Sequence, residues 1–302
     1  MKNLTLKILA LVMTIILLLP LVIACGEESP TTPTTPSTNP PEPTEAEKFA
    51  AMNEQDKAFY ILGCEVDVTS ERLGGSLRLS LQNAYYQGYY IDTSVAVDFV
   101  TVNTSDKYFD YSEAEITASV HQYAFGGPTV SQSATLVKTG WLDGKHFTYT
   151  EVQSGNQTST QKIYVLRTQE EYIEEKAKTE AENQQSIDIP QNFGIAKGSC
   201  ATVTCTQDEN GNWVATFEDA NEDTLAEFKK IVKSFEQFIN VDEISDIRLR
   251  LTVDADFKPL NANVVYEFSG TRKPHLVLNC KYASGYDVVE PEIDLSDYNE
   301  TK

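Results

Sequence analysis

The chain has 302 residues, 24 Lys and Arg against 45 Asp and Glu, and a formal net charge of −21. Such an acidic balance excludes nucleic acid and anionic membrane surfaces as partners, and its ordinary physical use is solubility. The length suits one large domain or two small ones, with a substantial core.

The first predicted element is a leader. Lys2 and Lys7 flank the start, an apolar run extends from Ile8 to Ala24, and Glu27 and Glu28 follow. A basic start, an apolar stretch and a small residue before a cleavage point are the layout of a secretory signal. The run of about 17 residues is at the lower limit for a spanning helix and has no basic stop-transfer flank. The segment Val22-Ile23-Ala24-Cys25-Gly26 resembles the lipobox of bacterial lipoproteins. The resemblance implies a signal peptide over 1–24, lipidation of the Cys25 thiol and an extracytoplasmic protein anchored to the cell membrane. Diacyl plus amide-linked chains meet the two-signal requirement for stable anchoring.

Residues 25–44 then read as a tether. Six of the chain's 12 prolines fall between 26 and 43, without one large apolar residue. Such a segment cannot bury a core. In polyproline II form it reaches on the order of 55 Å.

The domain is predicted over 45–288. Thr44 and Glu47 form a capping box, and Phe49, Met52, Phe59 and Leu62 give the following helix one apolar face. From Cys64 the pattern shifts to period two, with strands predicted at 62–69, 76–82, 89–102, 115–124, 133–142, 145–153 and 161–166. Asp143-Gly144 marks a hairpin. A polar surface helix is expected over 168–185, with Thr168 and Glu171 as its capping box, and then a loop to Gly198. Strands 200–206 and 213–218 are joined through Asn210-Gly211. The most amphipathic helix spans 221–240, with Leu225, Phe228, Val232, Phe235 and Ile239 on one stripe. A meander over 246–255, 259–269 and 274–283 closes the domain, and 289–302 reads as a loose acidic tail.

This order predicts an α+β fold with a large, curved antiparallel sheet. The tether, the N-terminal amphipathic helix, the long meander and the late apolar helix resemble the LolA/LppX-type lipoproteins. So do the hairpin textures Trp141 to Tyr149 and Leu251 to Phe268. The resemblance implies a half-barrel with helices packed on its concave face, where several members of the family hold lipid. The family offers no motif that this chain matches position for position.

Catalytic signatures are missing from the sequence. His121, His146 and His275 lie in separate predicted strands without metal-ligand spacing. There is no nucleophile elbow, Walker A or dinucleotide fingerprint. Asp219 to Asp223 has alternating oxygens but lacks the glycine and closing glutamate of a calcium loop, and helix capping explains it. Cys200 and Cys205 are five apart in one strand, on opposite faces, and should not bridge each other. Buried thiols and one core disulfide remain alternatives for Cys64, Cys200, Cys205 and Cys280. No metal and no cofactor is expected.

Two functions follow. In the first, a non-enzymatic surface lipoprotein binds an apolar ligand, expected to be lipid, between helix and sheet. Phe228, Val232, Phe235 and Ile239 form one wall; Val66, Val68, Phe147, Leu249, Leu251, Val253 and Val265 form the other. Burial at ~25 cal/mol per Å² would drive binding. In the second, a filled-core interaction or sensor module presents Tyr85, Tyr86, Tyr89 and Tyr90 to a partner protein or glycan. Cavity volume separates the two. An extracellular hydrolase is a lesser third, requiring a cleft with two carboxylates.

Overall fold

The computed structural model describes residues 43–64, 72–86, 88–104, 109–124, 127–175, 178, 195–236, 238–284 and 293–301. The leader, Cys25, most of the tether, Val66 and Val68 lie outside them.

The capping box forms as expected. Glu47 N–H donates to Thr44 Oγ1 at 3.3 Å, and Thr44 N–H donates to the Glu47 carboxylate at 2.7 Å. The helix behind it is two helices, not one: α1 is Glu45–Ala51 and α2 is Glu54–Leu62. Met52 is extended, and Asn53 starts α2 by accepting from Asp56 N–H at 2.8 Å. Leu62 therefore ends a helix, where the period-two reading began a strand.

Strands β1 (Arg72–Tyr86), β2 (Tyr89–Thr104), β3 (Phe109–Ala124) and β4 (Gly127–Leu142) are long, while β5 (Lys145–Ser154) and β6 (Gln157–Leu166) are shorter. A helix, α3, runs through the described residues 169–175, opened by the expected Thr168–Glu171 box. Then come β7 (Cys200–Gln207), β8 (Trp213–Ala220), α4 (Glu222–Ile231), β9 (Ile244–Val253), β10 (Pro259–Phe268), β11 (His275–Ser284) and β12 (Asn299–Glu300). The helix predicted to run to 240 stops at Ile231 and continues as 3-10 turns at Lys233–Phe235 and Val241–Glu243.

All twelve strands form one sheet in the order β12-β6-β5-β4-β3-β2-β1-β11-β10-β9-β8-β7. It is an α+β fold, and the sheet is open because its end strands do not pair. Every pairing is antiparallel except β12 on β6, so the sheet is mixed. Asp143 and Gly144 both take positive φ, 50° and 80°, as a tight hairpin turn demands. The β7–β8 connection is a five-residue loop instead. Asp208 organises it by accepting from Asn210 and Asn212 N–H, each at 2.9 Å.

Register assigns the two faces. Leu249 pairs with Val264, Val264 with Leu278, Leu278 with Leu79, Leu79 with Val95 and Val95 with Ala118. This is the inner face, covered by α2 and α4 and carrying the main core. Phe49 packs on Trp213 (ring centroids 4.9 Å apart), and Phe59 packs on Phe217 (5.4 Å). Tyr266 packs on Phe228, and its hydroxyl donates to the Phe228 carbonyl at 3.3 Å. Gly75 makes room for a core ring, since a Cβ there would lie 2.7 Å from Phe99 and 2.4 Å from the Lys281 carbonyl.

The opposite, outer face carries a second small core. Val102, Tyr111 and Phe147 are buried there, and Ile293, Leu295 and Tyr298 pack over them. The tail expected to be loose is therefore docked over 293–301. Lys162 pairs with Asp297, and Thr301 N–H donates to the Tyr164 carbonyl at 2.8 Å.

Cys64, Cys200, Cys205 and Cys280 are free thiols. Burial, the largest cause, raises Cys64 and Cys200 to about 11, with nearby carboxylates adding to it. Such thiols are poor nucleophiles and poor ligands.

Candidate functional site

The expected apolar wall is present but closed. Phe228 and Val232 are 0% exposed, Phe235 3% and Ile239 5%. Leu249 and Val253 are buried in the same cluster, with Leu251 packed against it. These side chains fill the space between α4 and the sheet with one another.

Two of the assigned wall residues are on the other face. Val265 pairs with Arg248 and Val277, while its neighbours Val264 and Tyr266 point into the core. Phe147 pairs with Gly140 and Tyr164, beneath the docked tail, so it cannot face α4.

Two hollows stand out among the described residues. The larger, about 580 Å³, lies between the end of β1, the segment following α4 and the turn before β11. Lys229, Lys233, Arg272, Glu236 and Asp242 border it together with Phe238 and Ile239. It is a cleft of mixed charge, not an apolar pocket.

Tyr85 lines this cleft, and the Arg272 guanidinium sits 3.8 Å from the centre of its ring. Tyr85 also meets Tyr90 across the hairpin, with centroids 5.5 Å apart. Tyr86 pairs with Tyr89 along the backbone, and its side chain lies outside the described residues. Tyr89 and Tyr90 are 41% and 50% exposed. The hairpin thus splits the expected tyrosine face: Tyr85 and Tyr90 share the outer face, with Tyr85 held under a cation, and Tyr89 alternates to the other side.

Sequence reasoning missed what completes that face. Tyr123 of β3 pairs with Tyr90 and is 45% exposed; Val130 of β4 follows at 49%. Next along the same two strands, Asp92 pairs with His121 and Ser94 with Ser119. These residues rim the smaller hollow, about 220 Å³, on the outer face, away from the docked tail. The Tyr123 hydroxyl donates to Asp92 Oδ2 at 2.9 Å, and this bond holds the phenol's pKa above its ordinary value. The other Asp92 oxygen accepts from Asn83 N–H at 2.8 Å. Tyr90 and Tyr123 are 33 positions apart, so only a correct β2–β3 register could have joined them.

The remaining candidates separate. His121, His146 and His275 sit in β3, β5 and β11, and no group of three metal-binding side chains occurs among the described residues. Asn221 caps α4 by accepting from Thr224 N–H at 2.9 Å, as the capping reading required. No helix among the described residues is long and apolar enough to cross a membrane.

No protein-family model matches the chain, and no curated protein matches it. Among solved structures it is matched to a beta-barrel-like protein of domain of unknown function DUF1849 from Brucella abortus. The identity is 9%, the match covers 70% of this chain and 99% of that one, and the TM-score is 0.16. A likeness this low supports no statement about fold or function here.

Proposed function

We propose that the chain is a non-enzymatic, extracytoplasmic binding module, anchored through lipidated Cys25, that engages a partner with its outer-face tyrosines. One observation carries the reading. Tyr90, Tyr123 and Val130 are all more than 40% exposed on the outer face at one end of β2–β4, whereas Phe228, Val232, Phe235, Ile239, Leu249 and Val253 are buried in the main core. A contiguous exposed apolar patch rimmed by polar residues marks an interaction surface. Among the described residues, the space between α4 and the sheet where a lipid was expected is filled by Phe228, Val232 and Phe235 packed with Leu249 and Val253.

Retention on envelope fragments of the producing cells tests the proposal. The fragments are washed with detergent, and the protein is added in micelles that occupy its acyl chains. Saturable retention should fall at least tenfold in Tyr90→Ala/Tyr123→Ala, with an unchanged melting temperature. Equal retention of the variant would reject the tyrosine face as the binding surface.

A further inference from the structure

We infer that the ligand of this outer face is a neutral glycan chain; the inference rests on the tyrosine face being the binding surface. The β2–β3 ladder sets Tyr90 beside Tyr123, then Asp92 beside His121, then Ser94 beside Ser119. Each step alternates away from the core, so all six side chains stand on one face that no described element covers. Exposed phenol rings come first, and a shallow polar hollow follows immediately. That order matches a sugar chain, whose rings have an apolar C–H face for stacking and a rim of hydroxyls.

The hydrogen-bonding inventory points the same way. Asp92 is held by two bonds, from Tyr123 and from Asn83 N–H, so its position is fixed before any ligand arrives. The side chains of Ser80, Gln82 and His121 line the hollow and make no hydrogen bond to the described residues. Together they offer donors and acceptors in one place, as hydroxyls that both donate and accept require.

Charge selects among glycans and against other ligands. The hollow is lined by one carboxylate and by no Lys or Arg, on a chain of net charge −21. A uronate, sulfate or phosphate polymer would be repelled. A protein partner would seek an apolar centre, but no Leu, Ile, Met or Phe lines this hollow. An acyl chain would find no apolar lining in this hollow.

The envelope-retention assay, run on chemically treated fragments, tests the ligand class. Periodate, which cleaves vicinal diols, should abolish tyrosine-dependent retention, and exhaustive proteolysis of the fragments should leave it intact. A tenfold rise in salt should change retention by less than about twofold, since no ion pair is involved. The full-length protein should also bind neutral oligosaccharides on an array, at least tenfold more weakly as Tyr90→Ala or Tyr123→Ala. Retention that resists periodate but not protease would overturn the glycan and keep the tyrosine face. Retention lost in salt would overturn neutrality. Retention indifferent to both tyrosines would bring down the face itself.

Discussion

Phe147 is the residue on which the sequence and the structure disagree most sharply, and Phe147→Ala decides between them. The ring is 0% exposed, with Tyr111 at 6.4 Å and Tyr298 edge-on at 6.1 Å. Truncating a buried Phe costs about 3–5 kcal/mol, of which an aromatic pair contributes about 0.5–1.5. At roughly 2–4 °C per kcal/mol for a domain of this size, the melting temperature should drop by about 6–20 °C. The location of the damage is the sharper readout. The Thr301 amide, bonded to the Tyr164 carbonyl at 2.8 Å, depends on the docking of Tyr298 over Phe147. Hydrogen exchange at Thr301 should accelerate about tenfold for each 1.4 kcal/mol lost locally. Amides of α2 and α4 should keep the protection that the global stability permits. Unchanged exchange at Thr301, with selective loss around Phe228, would place the ring on the helix side and refute the face assignment.

Three further outcomes are expected. Gly75→Ala should cost about 1–3 kcal/mol in urea denaturation, because its Cβ would sit 2.4 Å from a backbone carbonyl that cannot move aside; a neutral result would show that β1 and β11 can separate locally. Val264→Asp should prevent folding, whereas Val265→Asp, opposite Arg248, should cost less than about 1 kcal/mol; equal damage would contradict the register. Because Cys64 and Cys200 rise from 9.0 to about 11 on folding, the folded state holds protons that the unfolded state releases between those values, so stability should fall as pH passes 9. Denaturation at pH 7.5 and 10 checks this, and the fall should shrink in Cys64→Ala/Cys200→Ala. An undiminished fall would assign it to other groups.

Periodicity and turn chemistry made much of the fold legible. The Thr44–Glu47 and Thr168–Glu171 boxes and the Asp143-Gly144 turn are local signals, and each appears where it was read. Strand lengths were underestimated where the outer face is polar: the strand predicted over 133–142 begins at Gly127, because β3 pairs with residues 127–132 as well. Face was legible only where alternation is clean. Val264-Val265 is apolar at both parities, and only its pairing partners separate core from surface. Ile293 and Leu295 do alternate with acids in a strand-like way, but a pattern this short between charges gives no reason to expect a packing partner. The candidate site was half visible for a related reason. Tyr90 and Asp92 are two apart in one strand, but Tyr123 and His121 join them only through inter-strand register.

The placement of α1 and α2 has a kinetic consequence. They are the first described elements of the domain, yet Phe49 meets Trp213 and Phe257, Phe59 meets Phe217, and Glu54 accepts from the Cys205 amide of the far sheet edge. Because synthesis runs from the N-terminus, this helical pair is made long before β7–β9 exist to receive it. Its apolar side must wait through some 140 residues of intervening chain, and contacts of such separation form slowly. Until then the apolar side of the pair stays in contact with solvent.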